Sequence, residues 1–140
     1  MTLYSYEMDR TKQGFRHEAA LYSGVDGLVD TVLPFVREGV ALGEPVLVAL
    51  VDDKARAVEE ALGEDASRVD FVDMAELGRN PACIIPEWRR FVDDLGGDRP
   101  VRGVGEPAWP GRRPVELEEA RLHEALLNVA FDDGPAWRLM

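Results

Sequence analysis

Cysteine is nearly absent from this chain. The single one, Cys83, leaves no intrachain disulfide and excludes a cysteine-rich metal site. Basic charge is also scarce: 16 Lys and Arg stand against 27 Asp and Glu, for a formal net charge of -11. Such a surface repels nucleic-acid phosphates and anionic lipid. The densest basic groups, Arg89-Arg90 and Arg112-Arg113, are too small to make a nucleic-acid-binding face. No apolar run approaches the roughly 20 residues that cross a bilayer. The N-terminus lacks a basic segment followed by an apolar one. These absences are read as a soluble, cytoplasmic chain with neither nucleic acid nor membrane as a partner.

Motifs for nucleotide chemistry and catalysis are missing too. There is no GxxxxGK[ST] and no GxGxxG after the first strand. The segment SGVDG after Tyr22 has two glycines but no lysine, and GVGEP has only GxG, inside a strand. Nucleotide hydrolysis therefore lacks its parts. Ser23 and Ser67 have no GxSxG context. Cys83 lies among apolar residues in NPACII and reads as a small buried hydrophobe rather than a nucleophile. Glu119 and His123, four apart on a helix, share a face and with a third ligand would suit a divalent metal. An ion pair on an acidic helix surface is the plainer reading. His17, just before a strand, reads as structural, bonded to a backbone carbonyl with its ring packed. No cofactor, no metal and no catalytic residue is assigned.

What is present is a globular pattern. The chain has 140 residues, 46% of them apolar, the size and composition of one domain. Residues 1–13 read as a loose or partly docked arm, and residues 14–140 as a single α/β domain. Ala19 to Tyr22 reads as a short buried strand. Gly24 breaks it, and Val25, Leu28, Val29, Val32, Leu33 and Val36 then recur at helical spacing. Pro34 predicts a kink or break near Thr31, with Gly39 or Gly43 ending the element. Pro45 to Val51 is a nearly continuous apolar run, as in a strand covered on both faces. Asp52 and Asp53 offer an N-cap to a short helix ending at Gly63. A third strand spans Val69 to Val72. Asn80 caps a helical segment that starts at Pro81, becomes regular nearer Glu87, and carries Trp88, Phe91, Val92 and Leu95 on one side. VRGVGEP is a fourth strand. A helix follows with Leu117, Ala120, Leu127 and Ala130 on one side, widened by Leu126 and Phe131. AWRLM starts a fifth strand flush with the end of the sequence, as if cut from a longer protein or as a short stand-alone version.

Strands alternating with helices imply an α/β fold of three layers, a mostly parallel sheet with helices on both faces. In such sheets ligands bind outside the carboxyl ends of the strands. Those ends carry Tyr22, Ser23, Asp52, Asp53, Asp73 and Glu106, a polar and mainly acidic rim. An enzyme would need Asp52, Asp73 and Glu106 to cluster there and raise one another's pKa. The segment GEPAWPGRRPVE (105–116) is stiffened by its prolines and holds Glu106, Trp109 and Arg112 at a strand end. Arg112 is placed to pair with Glu106, or to tie down Glu116 while Trp109 closes the bottom of a core.

The stretches FRHEAALYSG (15–24), FVREGVALGEPVLVAL (35–50), NPACIIPEWRRFV (80–92), VRGVGEPAWPGR (101–112) and EEARLHEALLNVAF (118–131) resemble the MEDS sensory domain family, especially as it occurs at the N-terminus of actinobacterial anti-sigma-factor-like regulators. The resemblance implies a divergent RecA/KaiC-like fold without the phosphate-binding loop. It also implies a non-enzymatic sensory role, with a small cytosolic signal as ligand and an effector of anti-sigma or kinase-like type as partner. On this resemblance His17 and Tyr22 match the family's first-strand motif. Glu106, Trp109 and Arg112 match its late motif, and Glu124 and Asn128 match the following helix. The binding residues expected from strand ends and resemblance together are His17, Tyr22, Asp52, Asp73, Glu106, Trp109, Arg112 and Asn128. Three readings follow: a ligand-responsive regulator, a protein-docking scaffold anchored on Trp109, and a metal-dependent enzyme. A homodimer is compatible with each.

Overall fold

The structure is a computed structural model that describes residues 14–96, 99–131 and 137–140. The expected arm, 1–13, lies outside the described residues. Five strands form one sheet in the order β1-β5-β4-β2-β3, and every pairing is parallel. They are β1 (Phe15–His17), β2 (Val46–Leu50), β3 (Asp70–Asp73), β4 (Val101–Gly105) and β5 (Trp137–Leu139). The helices are α1 (Gly24–Ala41), α2 (Asp52–Leu62), the single turn α3 (Met74–Leu77), α4 (Ile84–Leu95) and α5 (Pro114–Ala130).

The three layers follow from the pleat. Along β2, Val46, Val48 and Leu50 face one way and join a core with α1 and α2. Leu47 and Ala49 face the other way, into a core with α4, α5 and the indoles of Trp88 and Trp137. Being apolar on both faces, β2 is buried at all five positions. Gly103 and Gly105 of β4 lack the side chains that would collide with the Trp88 indole lying on them.

Several boundaries differ from the sequence expectation. The first strand is Phe15–His17, not Ala19–Tyr22. Two alanines give a pairing strand little side-chain surface, whereas Phe15 stacks on Trp137 with ring centroids 4.6 Å apart. Helix α1 runs unbroken through Pro34. An interior proline costs about 3 kcal/mol. Burial of Leu28, Val32, Phe35, Val36 and Val40 outweighs it, at about 1.5–3 kcal/mol for each large side chain. Val51, not an aspartate, occupies the N-cap of α2, and Asp52 and Asp53 fall in its first turn. Helix α4 starts at Ile84, so Pro86 sits in the first turn, where no N–H is needed. Cys83 is exposed rather than buried. Leu95 and Leu126 are exposed as well, while Phe131 enters the core.

Arg102 is the largest surprise in the interior. It is 2% exposed on β4, yet charged. Its guanidinium donates to Glu44, to Glu38 at 2.6 Å and to the Phe35 carbonyl at 3.0 Å. The hydrogen bond from Arg102 holds the Glu38 carboxyl below its ordinary pKa. Gly39 of α1 makes room for this arginine: a Cβ there would fall 2.7 Å from Arg102 Cδ.

Candidate functional site

Chain order makes a crevice. From β2 the chain crosses through α2 to β3 at one edge. From β4 it crosses through α5 toward β5, on the other side and over the opposite face. Neighbouring strands whose connections diverge leave a gap at their carboxyl ends, where ligands of open α/β sheets bind. Here the gap lies between β2 and β4.

Three side chains meet there. Tyr22 comes from the irregular stretch between β1 and α1, Lys54 from the first turns of α2, and Glu106 from the residue after β4. The Tyr22 hydroxyl donates to Glu106 Oε2, the Lys54 ammonium donates to Glu106 Oε1, and Lys54 also donates to the Tyr22 oxygen at 3.0 Å. The Lys54 and Glu106 side chains are 13% and 20% exposed. Burial raises the Tyr22 pKa, and the hydrogen bond to Glu106 raises it further. Burial works against the Lys54 ammonium, but the bonds to Glu106 and Tyr22 outweigh it and lift its pKa above the ordinary amine value. The resting cluster is an ion pair bridged by a neutral phenol.

A cavity of about 530 Å³ opens beside the cluster. Its floor is aliphatic: Leu28 and Val32 of α1, Leu50 of β2, Val104 of β4 and Met140 beyond β5. Ala120 and Leu117 of α5 form a wall, and Ala19 and Ala20 a rim. Tyr22 and Glu106 stand at its polar end. His17, Glu18, Arg121 and Glu124 complete the lining. His17 Nε2 lies 3.1 Å from Glu124 Oε2, so the histidine is paired with a carboxylate rather than bonded to a backbone carbonyl. The volume and the aliphatic floor, with polar side chains gathered at the rim, are those of a small-molecule site.

The other expected residues lie elsewhere. Asp52 is exposed and pairs with Arg56 at 2.9 Å. Asp73 accepts from the Ala75 N–H and caps α3. The three acids of the rim therefore do not form a cluster. Arg112 pairs with neither Glu106 nor Glu116. It stacks on Trp109, 3.8 Å from the ring centroid, and donates to the Gly78 carbonyl at 2.7 Å. Burial lowers its pKa. Glu116 instead accepts from the Arg113 N–H at 2.7 Å. Trp109 packs partly onto the α4/α5 core, and Asn128 is exposed. His123 is buried, not in a surface ion pair with Glu119, and burial lowers its pKa. Among the described residues no three His, Cys, Asp or Glu side chains are placed to hold a metal. Among them, too, no helix is long and apolar enough to cross a membrane.

Sequence reasoning missed Lys54. A signal was present: the chain has only two lysines, Lys12 and Lys54, among its 16 basic residues, and this one follows directly on the strongest strand.

The family model described as "MEthanogen/methylotroph, DcmR Sensory domain" (MEDS) matches residues 16–139. No curated protein and no solved structure matches the chain.

Proposed function

The chain belongs to the MEDS sensory domain family, and from that premise we propose that it binds a small aliphatic molecule in the carboxyl-edge cavity and reports occupancy to an effector. One observation carries the reading: a cavity of about 530 Å³ with an aliphatic floor ends on Tyr22 and Glu106, which Lys54 bonds from behind, at the divergence of β2 and β4. Size, apolar lining and a few convergent polar groups are what a small-molecule site requires.

Signalling needs a ligand that distinguishes two conformations. The position of the cavity supports such a difference, since α1 and α5 line it from opposite faces of the sheet. Filling it sets the spacing of these helices. The outer face of α5 carries Val115, Leu122, Leu126 and Val129, each at least 45% exposed. An apolar row on a helix that also lines the cavity favours α5 as the face the effector reads. An effector of anti-sigma or kinase-like type belongs to the same proposal, by resemblance of the chain to such regulators. The docking-scaffold reading shifts with it from Trp109, covered by Arg112, to this row.

The test is a thermal-shift and native mass-spectrometry screen of small aliphatic compounds against the chain and Ala20→Phe. The substitution narrows the cavity at its half-buried rim. Saturable binding that raises the melting temperature and disappears in Ala20→Phe supports the site. Ligands that bind Ala20→Phe equally well refute it.

A further inference from the structure

The cluster specifies the head group of the ligand, an inference that rests on the cavity being the binding site. Tyr22 has two simultaneous roles: its hydroxyl donates to Glu106 Oε2 and accepts from Lys54 Nζ at 3.0 Å. Tyr22 stands on the irregular segment between β1 and α1, whereas Lys54 is anchored in α2 and Glu106, the residue after β4, is tied to β2 by its N–H on the Ala49 carbonyl at 3.3 Å. Tyr22 and Glu106 face the cavity, with Lys54 behind them. A group that takes the place of the Tyr22 hydroxyl meets an acceptor, Glu106, on one side and a cationic donor, Lys54, on the other. Few functional groups satisfy both. A carboxylate only accepts and would face Glu106. An ammonium only donates and would face Lys54. An ether accepts but leaves Glu106 without a donor. A hydroxyl does both, as the phenol does.

The remaining charged groups of the lining do not compete for a head group. Glu18 is held by Arg138 at 3.1 Å and by Arg16 at 3.4 Å. Glu124 is paired with His17 at 3.1 Å, and Arg121 is bonded to Glu118 at 2.9 Å. We propose that Tyr22 is a placeholder, and that the ligand is an aliphatic alcohol whose hydroxyl displaces the Tyr22 phenol between Glu106 and Lys54. Displacement frees the segment from Ala19 to Ser23, which rims the cavity and leads into α1, while Glu18 stays tied to β5 through its N–H on the Leu139 carbonyl at 2.8 Å. The Tyr22 hydroxyl is thus a latch that the ligand opens.

This makes an unusual demand on Tyr22→Phe. Removing a side chain that contacts a ligand ordinarily weakens binding, but removing a placeholder strengthens it. Hexanol, its isomer methyl pentyl ether, hexylammonium and hexanoate are titrated into the wild-type chain, Tyr22→Phe, Glu106→Gln and Ala20→Phe, with calorimetry and melting curves for each. Hexanol is expected to bind best. It should bind Tyr22→Phe about tenfold tighter than wild type, the worth of a hydrogen bond to a charged partner that no longer has to be broken. Glu106→Gln should lose affinity for it. Weaker hexanol binding by Tyr22→Phe overturns the placeholder role. Ether, hexylammonium or hexanoate binding as tightly as hexanol overturns the alcohol assignment, and the cavity stands if Ala20→Phe blocks that binding. If none of the four probes binds wild type or Tyr22→Phe, the cavity reading falls and takes this inference with it.

Discussion

Adding one methyl group at Gly103 tests how tightly the strand leading to Glu106 is packed. A Cβ there would stand 2.6 Å from Trp88 Cζ3, 2.8 Å from Cη2 and 3.1 Å from Leu139 Cδ1. Non-bonded carbons rest at about 3.5–4.0 Å, so one partner must yield by roughly 1 Å. Trp88 is 2% exposed and wedged against Trp137 and Phe91, with ring centroids 5.6 and 6.4 Å away. It has nowhere to go. Overpacking of this kind costs about 1–3 kcal/mol. Replacing glycine returns about 0.4–1 kcal/mol through the unfolded chain. Gly103→Ala should therefore destabilise by about 1–2 kcal/mol and lower the melting temperature by roughly 2–8 °C. Gly27→Ala is the matched contrast. Its Cβ would lie 3.7 Å from Tyr22 Cβ, ordinary contact, inside α1. Helix propensity then gives about 0.5–1 kcal/mol of stabilisation. Urea and thermal melts of the two variants, with near-ultraviolet dichroism to follow the indoles, decide the matter. A Gly103→Ala variant as stable as wild type, or a Gly27→Ala variant less stable than Gly103→Ala, would refute the packing argument.

Three further outcomes are expected. Tyr22 and Lys54 both hold their protons more tightly folded than unfolded, above their ordinary values of 10.0 and 10.5. The unfolded chain releases those protons first, so their contribution is full below about pH 10 and is lost as pH rises beyond it. Urea midpoints measured across this range should fall more steeply for wild type than for Lys54→Met, and equal slopes contradict the cluster. Trp109→Ala should cost about 1–2 kcal/mol, less than the 3–5 of a fully buried aromatic, because its ring is only partly covered by Arg112 and the core. A loss in the larger range on denaturant melts would place Trp109 in the core proper. The exposed Cys83 thiol should react with a disulfide reagent in the native protein nearly as fast as in denaturant. Strong protection would mean that Cys83 is covered in solution.

Most elements were legible because their signals are local. Strand β2 announced itself as a continuous apolar run, and Asn80-Pro81 as a cap, confirmed by the Asn80 side chain accepting from the Ala82 N–H at 3.1 Å. The errors fell where distant partners decide. Phe15–His17 becomes a strand only because Trp137–Leu139 pairs with it, more than a hundred residues along the chain. Pro34 stays within α1 because the sheet supplies a surface to bury against. At the site, Tyr22 and Glu106 were anticipated from strand ends, and they do meet. Asp52 and Asp73 were anticipated by the same reasoning and turn outward, one to Arg56 and one to the cap of α3.

The sequence by itself determined the class of fold, the parallel character of the sheet, the absence of a phosphate loop and the family. All of these are written in periodicity, composition and short motifs along the chain. Tertiary structure alone decided which polar residues converge. Glu106 is 84 residues from Tyr22 and 52 from Lys54, and no local pattern records that a loop, the start of a helix and the end of a strand close on one point. It also decided that Arg102 is buried, since only the folded chain brings Glu38 and Glu44 around it. A side chain's chemistry is local, but its partners are set by strand order, and strand order is a property of the whole sheet.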